Sequence, residues 1–152
     1  IYLPTTDQPA EDPGTAQNHL VPISLPGLGK HILMVEDEPE VRNLGSLILR
    51  GAGFRVSAHD SAASAIADFD QRSEDFDLLF SDIVLGSMNG IELACLLKKH
   101  RPDLPVLLCS GYADERVRWE LIEQEGFSFL AKPYPSAKLL YAIGELLQES
   151  RV

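Results

Sequence analysis

Short apolar runs, separated by segments long enough to form helices, constrain this chain more than any other feature. The runs are HILMV at 31–35, FDLLFS at 76–81, VLLC at 106–109 and FLA at 129–131. Continuous apolar runs of this length are typical of parallel strands that are buried on both faces of a sheet. The segments between them carry apolar residues at helical spacing. The pattern predicts a buried sheet whose strands alternate with helices.

From Lys30 onward, strand and helix alternate five times. The predicted strands are 31–35, 54–58, 76–81, 106–109 and 127–131, and the predicted helices are 39–52, 62–71, 91–100, 114–125 and 136–149. Alternation of this kind implies a parallel sheet with right-handed crossovers. Five such units predict an α/β fold, a flavodoxin-like three-layer sandwich with strand order 2-1-3-4-5 and the second strand at an edge. We expect Val41, Leu44 and Ile48 of the first helix to face its core.

Hydrophilic groups stand where four of the predicted strands end. Glu36 and Asp37 follow the first strand, Asp82 the third, Ser110 the fourth and Lys132 the fifth. Ligands of open α/β sheets bind outside the carboxyl ends of the strands, where the connections leave to opposite faces. That point lies between the first and third strands, so the three carboxylates should meet there. The edge is predicted to hold a divalent cation and a phosphoryl group.

The chemistry of these groups supports that prediction. Mg²⁺ prefers octahedral oxygen coordination, which the three carboxylates and a backbone carbonyl just after the third strand could supply. A carboxylate can then act as nucleophile toward an activated phosphate, while Ser110 and Lys132 contact its oxygens. Taken singly, Glu36 and Asp37 could cap a helix, Ser110 could belong to a turn, and Lys132 could be solvated. Their conjunction at one edge favours the phosphoryl site.

Composition excludes other classes of function. The formal net charge is −10 and the basic residues form no run, which argues against nucleic-acid binding. No apolar run approaches the ~20 residues that span a membrane, and the start lacks a signal peptide, so a cytoplasmic location is expected. Cys95 and Cys109, the only cysteines, fall in apolar segments and are predicted to be buried, reduced thiols.

Residues 1–29 differ from the rest because prolines and glycines interrupt any periodicity. We interpret this stretch as the end of a preceding domain followed by a flexible, Pro-rich linker over 5–28, and 30–150 as the folded domain. Because the chain does not begin with Met, we expect it to be part of a longer protein.

Four motifs in order resemble those of the receiver (response-regulator) domains of bacterial two-component signalling. They are VEDE at 35–38, DIVLGSMNG at 82–90, CSGY at 109–112 and FLAKPY at 129–134. The resemblance covers about 30–150 and implies a CheY-like fold. It also implies roles for six residues: Asp82 as phosphoacceptor, Glu36, Asp37, Asp82 and the Val84 carbonyl as ligands of Mg²⁺, and Ser110 and Lys132 as contacts of the phosphoryl group.

The resemblance further implies how the phosphorylated state is read and how long it lasts. Phe129 stands at the aromatic switch position that responds to the hydroxyl residue Ser110, and without a phenol hydroxyl it can switch by packing alone. Gly86 replaces the proline that family members often carry. Val84 and Tyr112 flank the path of a hydrolytic water and cannot orient it well, so slow self-dephosphorylation is expected.

The context suggested by the sequence is the C-terminal receiver of a hybrid sensor histidine kinase. The opening run 1–4 resembles the last strand of a kinase ATP-binding domain, and the chain stops just after the fifth helix. Such a receiver takes its phosphoryl group from a kinase histidine, here in cis. It then relays the group to a histidine phosphotransfer protein or drains it as a sink, with weak autophosphatase activity of its own.

Other functions compete with that interpretation. A phosphorylation-independent docking or dimerisation module could use Tyr112, Val117 and Trp119, or a homodimer could form through helix four, strand four and helix five. The complete acidic pocket favours phosphoryl acceptance. A phosphatase is disfavoured because no second acid stands two residues after Asp82. Flavin binding is disfavoured because the acids after strand one would repel a phosphate.

Overall fold

The structure is a computed structural model that describes residues 27–86, 88–111 and 116–149, with the backbone alone at 116–118. The strands are β1 His31–Val35, β2 Arg55–His59, β3 Leu78–Asp82, β4 Val106–Ser110 and β5 Ser128–Ala131. The helices are α1 Pro39–Gly51, α2 Ala62–Arg72, α3 Gly90–His100, α4 Arg116–Glu125 and α5 Ser136–Glu149, with a 3-10 helix at Ser73–Asp75. All strand pairs are parallel, in the order β2-β1-β3-β4-β5. The predicted fold class and strand order are confirmed.

The central strands are buried on both faces of the sheet. Every residue of β1, β3 and β4 is buried, as the continuous apolar runs predicted. Because successive side chains of a strand point to opposite faces, two apolar layers result. Leu33 and Leu79 belong to the layer that α2 and α3 cover, whereas Ile32 and Leu78 belong to the layer under α1 and α5.

The edge strand β2 is half-exposed, as its polar alternation predicted. Side chains of α2 bond to those of this strand. Asp68 lies 2.9 Å from Nε2 of His59, and Nη2 of Arg72 donates to Oγ of Ser57 at 3.0 Å. These contacts bind α2 to the face of the edge strand that carries Ser57 and His59.

The inward face of α1 differs from the prediction. Its buried residues are Gly45, Ser46 and Leu49, while Leu44 is 58% exposed and Ile48 only partly buried. A Cβ at Gly45 would lie 2.5 Å from Cε of Met34, so the helix approaches β1 through small residues. A prediction from apolar periodicity does not count glycine or serine. For that reason it placed the wrong face of α1 against the core.

The start of β3 also differs from the prediction, because 73–75 form a 3-10 helix and Leu78 is the first strand residue. The guanidinium of Arg101 donates to the carbonyls of Ser73 at 2.7 Å and Phe76 at 2.6 Å. These bonds hold the segment before the strand outside the ladder. The strand ends at Asp82, one residue later than expected.

The predicted linker lies almost wholly outside the described residues, as does the run 1–4. The described part begins at Gly27, whose N–H donates to the carbonyl of Ala52 at 3.0 Å, and whose backbone lies against the ring of Phe54. Within the described ranges, no helix is both long enough and apolar enough to cross a bilayer.

Both cysteines are free thiols, as predicted. Cys109 is buried in β4, and Cys95 is half-buried on α3. Burial raises the pKa of both thiols, so both are protonated at neutral pH. They are structural residues rather than reactive ones.

His31, at the start of β1, is a buried titratable group away from the acidic edge. It is 3% exposed and its ring centroid lies 4.6 Å from that of Phe76. Its Nε2 lies 2.8 Å from Oγ of Ser57, whereas its Nδ1 has no partner among the described residues. Burial, reinforced by the charges of Arg55 and Arg72, lowers the pKa of His31 below the ordinary 6.5. The folded protein therefore favours the neutral ring.

Acidification should destabilise the protein through His31. Below pH 6.5 the unfolded chain binds a proton at His31, whereas the folded chain, with its lower pKa, does not. The free energy of unfolding therefore decreases as the pH is lowered. The slope from this group tends toward about 1.4 kcal/mol per pH unit until the lower folded pKa is reached. Urea unfolding between pH 7.5 and 5 should show a shallower pH dependence for His31→Asn than for the wild type. His100→Asn, at an exposed position of α3, is the control; equal slopes for His31→Asn and the wild type would contradict the assignment.

Candidate functional site

The carboxyl ends of four strands bring the predicted site residues to one edge of the sheet. Glu36 follows β1, Asp82 ends β3, Ser110 ends β4 and Lys132 follows β5. The backbone N–H of Lys132 donates to the carbonyl of Ser110 at 3.0 Å, and Ser110 is paired in register with Ala131. Glu36, Asp82 and Ser110 are all buried. Residues distant in sequence thus share one edge because the strands are parallel.

Glu36 is held at its backbone and at its carboxylate. Its N–H donates to the carbonyl of His59 at 3.0 Å, and its own carbonyl accepts from Nη1 of Arg42 at 2.9 Å. Oε1 accepts the backbone N–H of Glu38 at 3.2 Å, and Oε2 accepts from Nζ of Lys132 at 2.7 Å. The residue is 2% exposed, and the bonds to Glu38 and Lys132 orient its carboxylate.

Lys132 joins two buried carboxylates. Its Nζ also donates to Oδ2 of Asp82 at 3.2 Å, so one ammonium bridges Asp82 and Glu36. Burial raises the pKa of both carboxyls, and Lys132 opposes that effect in each. Burial also lowers the pKa of Lys132, but the hydrogen bond to Glu36 and the charge of Asp82 outweigh it, and the net shift is upward. The ammonium is therefore charged at neutral pH.

The third carboxylate, Asp37, is exposed at the mouth of the site. Oxygens of Glu36, Asp37 and Asp82 lie within 4.8 Å of one another. Among the described residues, these three side chains form a cluster that could hold a metal ion. An open pocket of about 580 Å³ adjoins it; the lining residues are Asp37, Glu38, Pro39, Asp82, Val84, Gly111 and Lys132. Three carboxylates against one ammonium leave an excess of negative charge. Oxygen donors of this kind fit a hard divalent cation such as Mg²⁺.

Val84 and Gly86 lie on the loop that follows Asp82. The side chain of Val84 is 40% exposed and lines the pocket, while its backbone N–H bonds to the carboxylate of Asp82. Gly86 is exposed, with no atom within 4 Å of a Cβ built on it. Tyr112, which was predicted to flank the same pocket, lies outside the described residues.

Phe129, the predicted switch residue, is half-buried on β5. Its ring packs edge-to-face against Trp119 of α4, with centroids 4.7 Å apart and planes at 62°. Trp119 is 41% exposed. The aromatic pair connects the strand that precedes Lys132 to the surface of α4. Val117, named with Trp119 as a possible docking residue, has no described side chain.

Sequence reasoning missed Arg42, whose guanidinium holds the carbonyl of Glu36. A signal was present, because a cation in the fourth position of a helix opposes the helix macrodipole, which favours acids there. It also gave no structural reason for the glycine eight residues after Asp82. The structure supplies that reason at Gly90, the first residue of α3.

Gly90 lies directly against the backbone of Asp82. Its N–H donates to the carbonyl of Ile83 at 2.8 Å, and a Cβ at this position would overlap the carbonyl oxygen of Asp82. Asn89 caps the helix by accepting from the N–H of Glu92 at 2.8 Å, in a capping box. Only glycine lets α3 begin this close to the end of β3.

Gly90→Ala should destabilise the protein, although alanine ordinarily stabilises a helix relative to glycine. The added methyl group must displace the Asp82 backbone, and we expect a loss of about 1–3 kcal/mol in the free energy of unfolding. Gly86→Ala is the matched control, since its Cβ meets nothing, and should change stability by less than about 0.5 kcal/mol. Denaturant unfolding of both variants measures the difference. A neutral or stabilising Gly90→Ala would refute the close approach.

Comparison with known proteins identifies the family. The family model of the response regulator receiver domain matches residues 32–144. Response regulator receiver protein CpdR of Brucella abortus (strain 2308) is 32% identical over 118 residues, which cover 78% of this chain and 97% of that protein. The chain therefore belongs to the response regulator receiver domain family and is a receiver domain of two-component signalling.

Two further similarities bear on context and fold. Sensor kinase CckA of Brucella abortus (strain 2308) is 31% identical over 118 residues, which cover 78% of this chain but only 12% of that protein. A response regulator receiver domain protein (CheY-like) from Methanospirillum hungatei JF-1 has a solved structure with a TM-score of 0.74 and 29% identity, covering 80% of this chain and 96% of that chain. Receiver domains bind Mg²⁺ through an acidic pocket. In this chain Glu36, Asp37 and Asp82 form an acidic cluster at the carboxyl edge of the sheet.

Proposed function

We propose that Asp82 is the phosphoacceptor of this receiver, and that its phosphorylation depends on Mg²⁺ held by Glu36, Asp37 and Asp82 together with the carbonyl of Val84. The observation that carries the proposal is the convergence of three carboxylates within 4.8 Å, beside a charged Lys132 that already contacts Asp82. The pocket is open at Asp37 and Val84, so a donor can approach from that side.

The residues divide the work of phosphoryl transfer. A carboxylate oxygen of Asp82 attacks phosphorus of a phosphohistidine; the P–N bond breaks, and its electron pair returns to the imidazole, which takes a proton from solvent. Lys132 and the hydroxyl of Ser110 bind the oxygens of the transferred group. Mg²⁺, when bound, neutralises charge on those oxygens. Because Asp82 is buried but hydrogen-bonded, its carboxylate is oriented before the donor arrives.

Asp82→Asn should abolish phosphorylation by acetyl phosphate and Mg²⁺, since the amide cannot form the acyl phosphate. Intact mass spectrometry should show one added phosphoryl group on the wild type and none on the variant. Asp75→Asn, which makes the same change at an exposed position of the 3-10 helix, should be phosphorylated like the wild type. Omitting Mg²⁺, with a chelator present, should prevent the gain in every protein.

Two results would contradict the assignment. Addition of phosphate to Asp82→Asn would place the acceptor elsewhere, and absence of addition to the wild type would remove the proposed activity.

The lifetime of the phosphorylated state is proposed to be long because Val84 has no group that can orient a water. Its side chain lines the pocket and is partly exposed, so it stands where a hydrolytic water must approach the phosphoryl group. Hydrolysis by this domain is therefore a weak autophosphatase activity.

Val84→Asn should shorten that lifetime, because the amide can hydrogen-bond an attacking water. The measurement is the decay of phosphorylated protein after removal of acetyl phosphate, followed by intact mass. Val84→Ala removes bulk without adding a hydrogen-bonding group and serves as the control. Decay of Val84→Asn at the wild-type rate would sink the explanation, and equal acceleration by Val84→Ala would assign the effect to bulk.

Phe129 and Trp119 are proposed to report the phosphorylated state. Ser110 is paired with Ala131 in the β4–β5 register. A movement of its hydroxyl toward a phosphoryl group would therefore be transmitted to β5, the strand that carries Phe129. Phe129 has no hydroxyl, and its response is a change of packing against Trp119. The exposed part of Trp119 would carry that change to the surface of α4, where a homodimer through α4, β4 and α5 could respond.

The proposed setting is a hybrid sensor histidine kinase. Support comes from the similarity to a short segment of sensor kinase CckA. In that setting residues 1–29 are the end of the preceding kinase domain and a linker, 30–150 are the receiver, and the kinase histidine donates in cis at a raised effective concentration. The phosphoryl group then passes to a histidine phosphotransfer protein or is drained by hydrolysis. A kinase donor that uses ATP gives the domain a cytoplasmic location.

A phosphorylation-independent docking module is the alternative. The partly exposed Trp119 on α4 is the observation that favours it. The intact set of three carboxylates, Ser110 and Lys132 favours phosphoryl acceptance instead, because a docking surface needs none of them.

A further inference from the structure

The ammonium of Lys132 bridges the two buried members of the carboxylate cluster. Its contact with Glu36, at 2.7 Å, is shorter than its contact with Asp82, at 3.2 Å. The Lys132 side chain is 19% exposed, whereas those of Glu36 and Asp82 are 3% and 9% exposed. Lys132 therefore already supplies positive charge to one oxygen of each buried carboxylate in the proposed cation site.

Glu36 is held so that it faces Lys132. The carbonyl of His59, the guanidinium of Arg42 and the N–H of Glu38 bond to its N–H, its carbonyl and Oε1. The remaining oxygen, Oε2, points at the ammonium. The pair is thus prepared by bonds that hold Glu36 to β2, to Arg42 and to the β1–α1 connection, rather than formed by two mobile surface side chains.

The length of the glutamate side chain makes this pair possible. An aspartate at position 36 would withdraw the carboxylate by about one carbon–carbon bond, or ~1.5 Å. The 2.7 Å contact would then exceed ordinary hydrogen-bond distance unless Lys132 moved away from Asp82. The contact of the ammonium with Asp82, at 3.2 Å, does not involve residue 36 and would remain.

We propose that the Lys132 ammonium is an internal competitor for the divalent cation, and that glutamate at position 36 sets the strength of the competition. This inference rests on the proposed Mg²⁺ site. A cation bound by Glu36 and Asp82 must displace Nζ or accept its repulsion at close range, since Coulomb energy rises as the inverse of distance. The metal-free protein thereby keeps its buried carboxylates neutralised, at the expense of metal affinity.

Isothermal titration calorimetry with MgCl₂ tests the competition without measuring activity. At fixed pH and about 0.15 M salt, where charges beyond ~8 Å are largely screened, Lys132→Met should raise the association constant roughly tenfold or more. Glu36→Asp keeps the charge but breaks the pair, and should raise it severalfold. In the Lys132→Met background, Glu36→Asp should bring no further rise, because no competitor remains.

Two controls separate competition from other effects. Lys138→Met removes a positive charge at an exposed position of α5 and should change the association constant by less than about twofold, since screening weakens distant charges. Thermal unfolding of each variant without metal establishes that it is folded. Because Lys132→Met leaves two buried carboxylates unpaired, Glu36→Asp provides a second, milder variant.

NMR of the ¹⁵N-labelled lysine ammonium groups gives an independent measurement. In the metal-free protein the Lys132 ammonium should be protected from solvent exchange by its two carboxylate partners, and saturating Mg²⁺ should remove that protection in the wild type. Glu36→Asp should weaken the protection before any metal is added.

Each outcome has a definite meaning. A rise in affinity for both single variants, absent when Glu36→Asp is added to Lys132→Met, supports the competition. An equal effect of Glu36→Asp in both backgrounds would mean that residue 36 acts only as a ligand and would overturn it. Wild-type affinity in Lys132→Met would overturn it as well. Failure of the wild type to bind Mg²⁺ at millimolar concentration would remove the proposed metal site itself, whereas phosphorylation of Asp82 is tested separately by mass.

Discussion

The bridge from Lys132 to Glu36 and Asp82 is the interaction on which the site depends. Two carboxylates buried side by side would repel each other and lose hydration, and a paired charge with further hydrogen bonds offsets that loss. The partners are separated by 96 and 50 residues in sequence. One ammonium therefore joins the connection after β5 to the ends of β1 and β3. The contacts that neutralise the buried carboxylates also tie these three strand ends together.

Much of the fold could be predicted because the sheet buries both of its faces. A strand covered on both sides is apolar throughout, so β1, β3 and β4 stand out in the sequence, and alternation with helices determines their order. The parts that were predicted wrongly depend on other forces. Small residues bring α1 against Met34, so the helix turns Gly45 rather than Leu44 inward. The guanidinium of Arg101 fixes the segment before β3, a contact between distant residues that no local pattern contains.

The membership of the site followed from topology, but its internal arrangement did not. Residues that end parallel strands must meet, and this alone placed Glu36, Asp82, Ser110 and Lys132 at one edge. The unequal distances from Lys132 to the two acids depend on side-chain length and on the bonds that orient Glu36. Arg42 was missed because its partner is a backbone carbonyl, although a cation near the start of a helix was a signal that something holds it there. The position of a residue in the fold can be predicted from apolar periodicity. The orientation of its side chain depends on differences of a few tenths of an ångström in its contacts.

The edge-to-face pair of Trp119 and Phe129 has an optical consequence. The chain contains a single tryptophan. Its indole lies 4.7 Å from the ring of Phe129 and is partly open to water, so the emission of the whole domain originates beside the strand that leads to Lys132. The molecule carries its own fluorophore where α4 packs against β5, and a repacking of that one ring pair would be visible in its emission without any label.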